Sequence, residues 1–312
     1  MTRTRSAAKR QKIAVVESAL ANIDVVSHFA AFLEANDLCQ VQATCKALGS
    51  ANDDAAFNGL SLVEEAARRS YEVLSDEKKA MLPRYDGESW IELYHHLLML
   101  RARLTFDQLV GSGVEYRGDK AVIEGKFFIY RQGRTFKYRA NTSQAICGNH
   151  IMRAGKHWAT FTSSAAGYII DRIVGVVRPL PGWDKKGLDS FDPAWMDFRH
   201  SLRQERTDRW EGSVHYCRLD MKQGLYYWSD WQEREGPGRS GYPDWEGFDD
   251  YDKDCQTLGM LLDLCSGTLS VYQNGRRLGA LKDGLAGEYC WVAGVSGEGD
   301  MSIQRGYNVN AV

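Results

Sequence analysis

Cys147 and His150 stand three residues apart, a spacing at which a thiolate and an imidazole can share a metal ion or act as nucleophile and base. Neither chemistry is completed elsewhere in the chain. A zinc site needs two further ligands, and the seven cysteines (39, 45, 147, 217, 255, 265 and 290) include no C-x-x-C pair. His95 and His96 are adjacent, so on a helix they point about 100° apart and cannot chelate as an i, i+4 pair would. Asp244, Glu246, Asp249, Asp250, Asp252 and Asp254 crowd into eleven residues and offer the oxygen ligands a hard cation wants. They lack the glycine and terminal glutamate of a calcium loop, and Trp245, Phe248 and Tyr251 are interleaved, so a solvated loop is the expectation. Neither a phosphate-cradling Gly-x-x-x-x-Gly-Lys-Ser/Thr nor a dinucleotide turn occurs. No catalytic residue, metal or cofactor is assigned, and the chemistry expected of this chain is binding.

Charge narrows what could be bound. The net charge of −2 over 312 residues argues against a nucleic-acid binder, which needs a basic excess to neutralise phosphates. The most apolar stretch, Ile13 to Leu33, is interrupted by Glu17, Asn22, Asp24 and His28, so a membrane span is not expected, nor is a signal peptide. The opening residues Arg3, Arg5, Lys9, Arg10 and Lys12 carry no acid among them, and residues 1–18 are read as a disordered basic tail. Scattered, odd-numbered cysteines suit a reducing compartment; the cytoplasm is expected, with nuclear import through the basic run as the alternative.

Glycine divides the chain. Residues 1–110 hold three glycines (49, 59 and 87), one proline and one tryptophan, while the rest of the 30 glycines, six prolines and nine tryptophans lie beyond. Glycine punctuates tight turns and aromatics suit half-buried strands, so the first third should be helical and residues 111–312 β. In the first part, Val26, Phe29 and Leu33 recur at helical spacing with Val25 and Phe32 beside them. Asp37 and Gln40 form a reciprocal cap for a second helix carrying Leu38, Val41, Cys45 and Leu48. Leu60, Val63, Ala67 and Leu74 mark a third helix, and Trp90, Leu93, Leu97, Leu100 and Leu104 a longer one. In the second part, short β-prone runs include Phe127–Tyr130, Phe136–Tyr138, Trp158–Thr162 and Ile173–Val177. From Met260 the pattern is a meander. Met260, Leu262 and Leu264 alternate inward, Ser266-Gly267 turns the chain, Leu269 and Val271 follow, Asn274-Gly275 turns it again, and Leu278 and Ala280 continue. The fold class expected is α+β multidomain: N-terminal helices, then an antiparallel β-sandwich.

Two resemblances follow from these residues. Leu20-Ala21-x-Ile23-Asp24-Val25-Val26, with Phe32-Leu33, Asp37-Leu38, Val41 and Thr44-Cys45-Lys46, resembles an F-box over residues 19–52. That resemblance implies docking on a SKP-type adaptor of a cullin-RING ubiquitin ligase through Leu20, Ile23, Val25, Val26, Phe29, Leu33, Leu38 and Val41. Residues 53–110 resemble no functional motif and are read as linker helices. Gly155-Lys156-His157-Trp158, Val174-Gly175-Val176, Gly259–Leu264, Gly267–Tyr272, Asn274-Gly275, Leu278-Gly279, Gly284-Leu285 and Gly287-Glu288-Tyr289 resemble a SPRY domain. A SPRY domain is a bent, concanavalin-like antiparallel sandwich that holds a protein or peptide through loops at one end. By that resemblance the reading rim comprises Arg139, Asn141, Arg178, Pro179, Val295, Ser296 and Gly297. Trp183 joins them from the long segment Leu180–Gly212, which in this family would be a ligand-reading loop. Together the resemblances imply a non-catalytic, SCF-type substrate adaptor with an unidentified protein target. The alternative is a SPRY interaction scaffold whose F-box is purely structural, which Ala21 and Leu48 would suit.

Overall fold

The computed structural model describes residues 23–30, 33, 35–44, 48, 59–132, 135–164, 169–232, 239–243, 245, 255–274 and 276–306. The chain divides into two compact units, Met1–Ala102 and Arg103–Val312.

The first unit contains α1 (Ile23–Ala30), α2 (Ala35–Thr44), α3 (Leu62–Glu72), α4 (Asp76–Met81) and α5 (Trp90–Arg101). Serines open the two longest. The Ser61 side chain accepts from the Glu64 amide at 3.2 Å, and Ser89 forms a reciprocal capping box with Glu92. Val63, Ala66, Ala67 and Leu93 are fully buried where α3 meets α5, joined by Val26, Leu38 and Leu48 from upstream. Glu65, buried in the same layer, holds Arg68 at 2.7 Å and Arg69 at 3.0 Å, and the Arg68 hydrogen bonds keep its carboxyl below the ordinary range. Two sequence expectations shift here. The second helix starts at Ala35, so Asp37 sits in its first turn and is exposed rather than standing at the cap. The long helix ends at Arg101 because Ala102 turns extended, which leaves Leu104 to the core of the other unit.

The second unit is a two-layered antiparallel sandwich. Its strands are β1 (Gln108–Val110), β2 (Val114–Tyr116), β3 (Val122–Gly125), β4 (Phe127–Gln132), β5 (Thr135–Ala140), β6 (Gln144–Ile146), β7 (Lys156–Ser164) and β8 (Ile169–Val177). They continue as β9 (Tyr216–Asp220), β10 (Tyr226–Ser229), β11 (Arg239–Gly241), β12 (Cys255–Asp263), β13 (Thr268–Gln273), β14 (Arg276–Lys282), β15 (Cys290–Gly297) and β16 (Asp300–Arg305). One seven-stranded sheet runs β1-β6-β15-β8-β9-β10-β11 and the other β14-β13-β12-β7-β16-β3-β2; β4 and β5 pair as a separate ribbon. Because β1 already belongs to a sheet, the sandwich begins upstream of the expected boundary at Gly111.

Alternation builds the core. Val174, Val176, Trp291 and Ala293 face inward from the first sheet, and Phe161, Met260, Leu262, Leu269 and Val271 from the second. The Phe161 and Trp291 rings meet edge-on at 6.0 Å across the layers. The meander pairs in the expected register from Leu258↔Gln273 to Asp263↔Thr268. Its last strand departs from expectation. Register shifts at Leu269/Ser270 and Val271/Tyr272 place Leu281 in the core and leave Ala280 exposed.

A second apolar layer covers the outer face of the first sheet. Val110, Ile146, Val177, Tyr216 and Val292 point that way, and Trp183, Phe191, Leu202, Trp210 and Trp231 close over them. Most of that cover comes from the segment between β8 and β9, which carries a short 3-10 turn (Trp183–Lys186) and α6 (Met196–Gln204).

Candidate functional site

Among the described residues, the strand registers sort the strand ends of the sandwich into two groups. At the first end, Val110 pairs Gln144, Gly297 pairs Ile169, Asp300 pairs Ser164 and Val114 pairs Gly125. Backbones approach closely here. A Cβ at Gly125 would stand 2.2 Å from the Gly297 carbonyl oxygen, and one at Gly113 would stand 2.0 Å from the Asn141 carbonyl oxygen. The Lys126 amide donates to the Gly113 carbonyl at 2.9 Å, and the Gly113 amide donates to Ser143 Oγ at 2.8 Å. Asn141 Nδ2 donates to Ser112 Oγ at 3.0 Å; Asn141 Oδ1 has no hydrogen-bond partner among the described residues. Half-buried Ser112, Lys126 and Asn141, with exposed Glu115, Asp189 and Glu298, surround this end. It presents amide and hydroxyl groups framed by closely approaching backbone.

The second end is closed by charge. Arg178, wholly buried, follows the last residue of β8. Its Nη1 donates to the carbonyls of Ala286 (2.7 Å) and Glu288 (2.9 Å), its Nη2 to the carbonyl of Glu211, and its Nε to His215 Nδ1 at 3.3 Å. The guanidinium lies 4.1 Å from the centre of the Tyr289 ring. Burial lowers its pKa to about 10, which leaves it fully charged near neutral pH. Beside it Arg153 and Glu288 form a buried ion pair at 3.1 Å.

The expected reading rim is therefore split. Asn141, Ser296 and Gly297 come together at the first end, with Arg139 on the strand that leads to Asn141. Arg178 and Pro179 belong to the second. The expectation of exposed readers fails for five side chains: Arg178, Pro179, Trp183, Val295 and Ser296 are all buried. Arg178 is buried because loop carbonyls consume its donors, and Val295 because it faces the core. Trp183 is buried because it packs on Phe191 at 5.1 Å while its indole donates to Glu205 at 2.8 Å. The segment Leu180–Gly212 is accordingly a cover for a sheet face, with Trp183 and Trp210 inside it and Trp195 exposed. Cys147 and His150 are both buried, and burial pushes the thiol well above its ordinary value, as expected of a packing residue. Among the described residues no cluster of histidine, cysteine, aspartate or glutamate is arranged to hold a metal ion. Most of the acidic stretch 244–254 lies outside the described residues.

On the helical unit, Val26 and Leu38 are 6% and 1% exposed, whereas Ile23, Val25, Leu33 and Val41 are half-buried. Phe29 is placed on α1, and Leu20 lies outside the described residues. No described helix is long and apolar enough to cross a membrane.

The class these sheets define is an antiparallel β-sandwich with a helical unit ahead of it. Among solved structures, the chain is similar to the SPRY domain of human HERC1 (11% identity, 64% of this chain and 96% of that one, TM-score 0.38). It is similar also to the PSpry domain of TRIM65 (18%, 68% and 97%, 0.36) and to the carbohydrate-binding module CBM66 from Bacillus subtilis (8%, 59% and 92%, 0.28). No family model matches the sequence, and no curated protein does.

Proposed function

We propose that the chain is a non-catalytic substrate adaptor of a cullin-RING ubiquitin ligase. In this reading the first helices dock a SKP-type adaptor and the glycine-framed end of the sandwich holds a target protein. The F-box-like and SPRY-like residue patterns support it, and so does the way the first two helices divide their apolar residues. Val26 and Leu38 anchor the helices inward, while Ile23, Val25 and Val41 keep part of their surface uncovered. Such a stripe on a small helical unit has apolar area left for a partner. The chain then acts by raising the local concentration of its target beside an enzyme that other subunits carry. At the sandwich end, Asn141 and the backbone around Gly113, Gly125 and Gly297 are the groups proposed to meet the target.

The test is binding of purified full-length chain to a SKP-type adaptor. Val25→Asp is expected to abolish docking with little change in melting temperature, because the side chain is already half in water. Leu38→Asp buries a charge and is expected to unfold the helical unit. Failure of the folded wild type to bind overturns the ligase reading. A Val25→Asp variant that unfolds as completely as Leu38→Asp favours the scaffold alternative, for which the deep burial of Val26 and Leu38 is the supporting observation.

A further inference from the structure

Between α2, the start of α3 and α5, the helical unit carries an open groove of about 500 Å³. Glu64 lines it from α3 and Glu92 from α5, and no lysine or arginine lines it. We infer that this groove holds a basic side chain, lysine or arginine, presented by the protein that docks on α1 and α2. The partner is taken from the adaptor reading and rests on it; the groove's preference for a cation does not. Cys39 and Gln42 line the groove from α2, the helix that also carries Leu38 and half-buried Val41, so a protein seated on that apolar stripe borders the groove.

Local structure fixes both carboxylates. The Trp90 amide donates to Glu64 Oε2 at 2.7 Å and the Ile91 amide also donates to this carboxylate, which ties α3 to the first turn of α5. Glu92 reaches back to cap that same turn, its Oε2 accepting from the Ser89 amide at 2.9 Å and the Ser89 hydroxyl at 3.0 Å. Neither bond uses Oε1. Like charges are thus held together at one groove, and the arrangement carries a cost. Burial raises the Glu64 carboxyl from its ordinary value, and the charge of Glu92 adds to that rise, against the two amides and Arg84. Arg84 is committed elsewhere. Its Nε and Nη2 donate to the Glu88 carbonyl at 3.0 and 2.7 Å, and its guanidinium lies 4.1 Å from the centre of the Trp90 ring. A cation delivered from outside relieves the repulsion, which a neutral group or an anion cannot do. Ile91, 4% exposed, and Cys39 offer apolar surface for the methylenes of a long basic side chain.

The experiment titrates the full chain with Nα-acetyl-arginine amide and, separately, Nα-acetyl-lysine amide. It is run at about pH 8, above the ordinary imidazole range, with sodium chloride holding ionic strength constant. His95 and His96 line the groove, and their ring resonances are the reporters. Nα-acetyl-citrulline amide, the neutral counterpart of the arginine probe, is the control. A saturable shift with a cationic probe and none with citrulline supports the site, and the probe that saturates first tells guanidinium from ammonium. Glu64→Gln keeps an acceptor for the Trp90 amide and Glu92→Gln keeps the cap, and each is expected to weaken binding about fivefold. Gln42→Glu adds a carboxylate to the lining and is expected to tighten binding by a similar factor. An equal response to arginine and citrulline, no response to either cation, or an affinity unchanged in all three variants overturns the inference. The probes involve neither Val25 nor a SKP-type adaptor. Loss of adaptor binding with the probe response intact therefore overturns the adaptor reading alone, and the reverse result overturns this inference alone.

Discussion

The two ends of the sandwich are closed by opposite means. Where β3, β6 and β15 meet, Gly113, Gly125 and Gly297 let backbones touch, and side chains such as Ser112 and Asn141 are left at the margin. Where β8 ends, a buried cation, a buried ion pair and three histidines (150, 157 and 215) fill the gap. A closure made of backbone needs only the absence of Cβ atoms, so the side chains around it are free to vary with a ligand. A closure made of a buried charge ties specific residues to specific carbonyls and tolerates little change. The comparison predicts that polar substitutions at the second end cost more than those at the first, and that acid sensitivity is concentrated there.

The largest effect should come from Arg178→Met. Methionine keeps much of the apolar stem but strands the carbonyls of Glu211, Ala286 and Glu288 without their donor. At ~1–3 kcal/mol for each buried group left unsatisfied, a loss of about 3–5 kcal/mol is expected in chemical denaturation. A loss under about 1 kcal/mol would mean that the carbonyls find water and that the end is not charge-closed.

Gly125→Ala should come next. Its Cβ would sit 2.2 Å from a carbonyl oxygen of another strand end, so the backbone has to separate. Overpacking of this kind costs about 1–3 kcal/mol, read as a fall in melting temperature. A neutral result would show that this end breathes, and would weaken the case for a rigid frame there. Gly118, with nothing within 4 Å of an added Cβ, lies in a turn away from this end. Its positive φ makes Gly118→Ala a control for backbone strain alone.

Sequence reading went furthest where periodicity carried the information. The meander from Met260 to Val271 followed from alternation and turn residues, since a period of two leaves only one register that buries leucine. Alternation sets Ala280 inward where the fold exposes it, because a bulge leaves no mark in residue type. The SPRY resemblance makes Leu180–Gly212 a recognition loop, yet Trp183, Phe191, Phe198, Leu202 and Trp210 give it more large apolar side chains than a solvated loop carries. That excess was a legible sign of a cover. Arg178 had no such sign. The carbonyls it caps lie 33 to 110 residues away in the chain, and only the folded register brings them to one guanidinium.

The smallest effect at neutral pH should be His157→Gln, and its informative result is on the acid side. His157 Nε2 donates to the Ala154 carbonyl at 2.8 Å, and burial, with Arg305 adding to it, holds the ring near 4, as burial also does for His215. In the unfolded chain both rings take a proton near the ordinary value of 6.5. Between there and about 4 the unfolded state therefore binds more protons, so stability is intact above that window and falls as pH drops through it. Glutamine keeps a donor for Ala154 and does not titrate. The difference between variant and wild type should be small above the window and grow through it by up to about 1.4 kcal/mol per pH unit, in the variant's favour. Parallel pH profiles for the two proteins would move the acid sensitivity away from this end, and with it the sharpest contrast between the two closures.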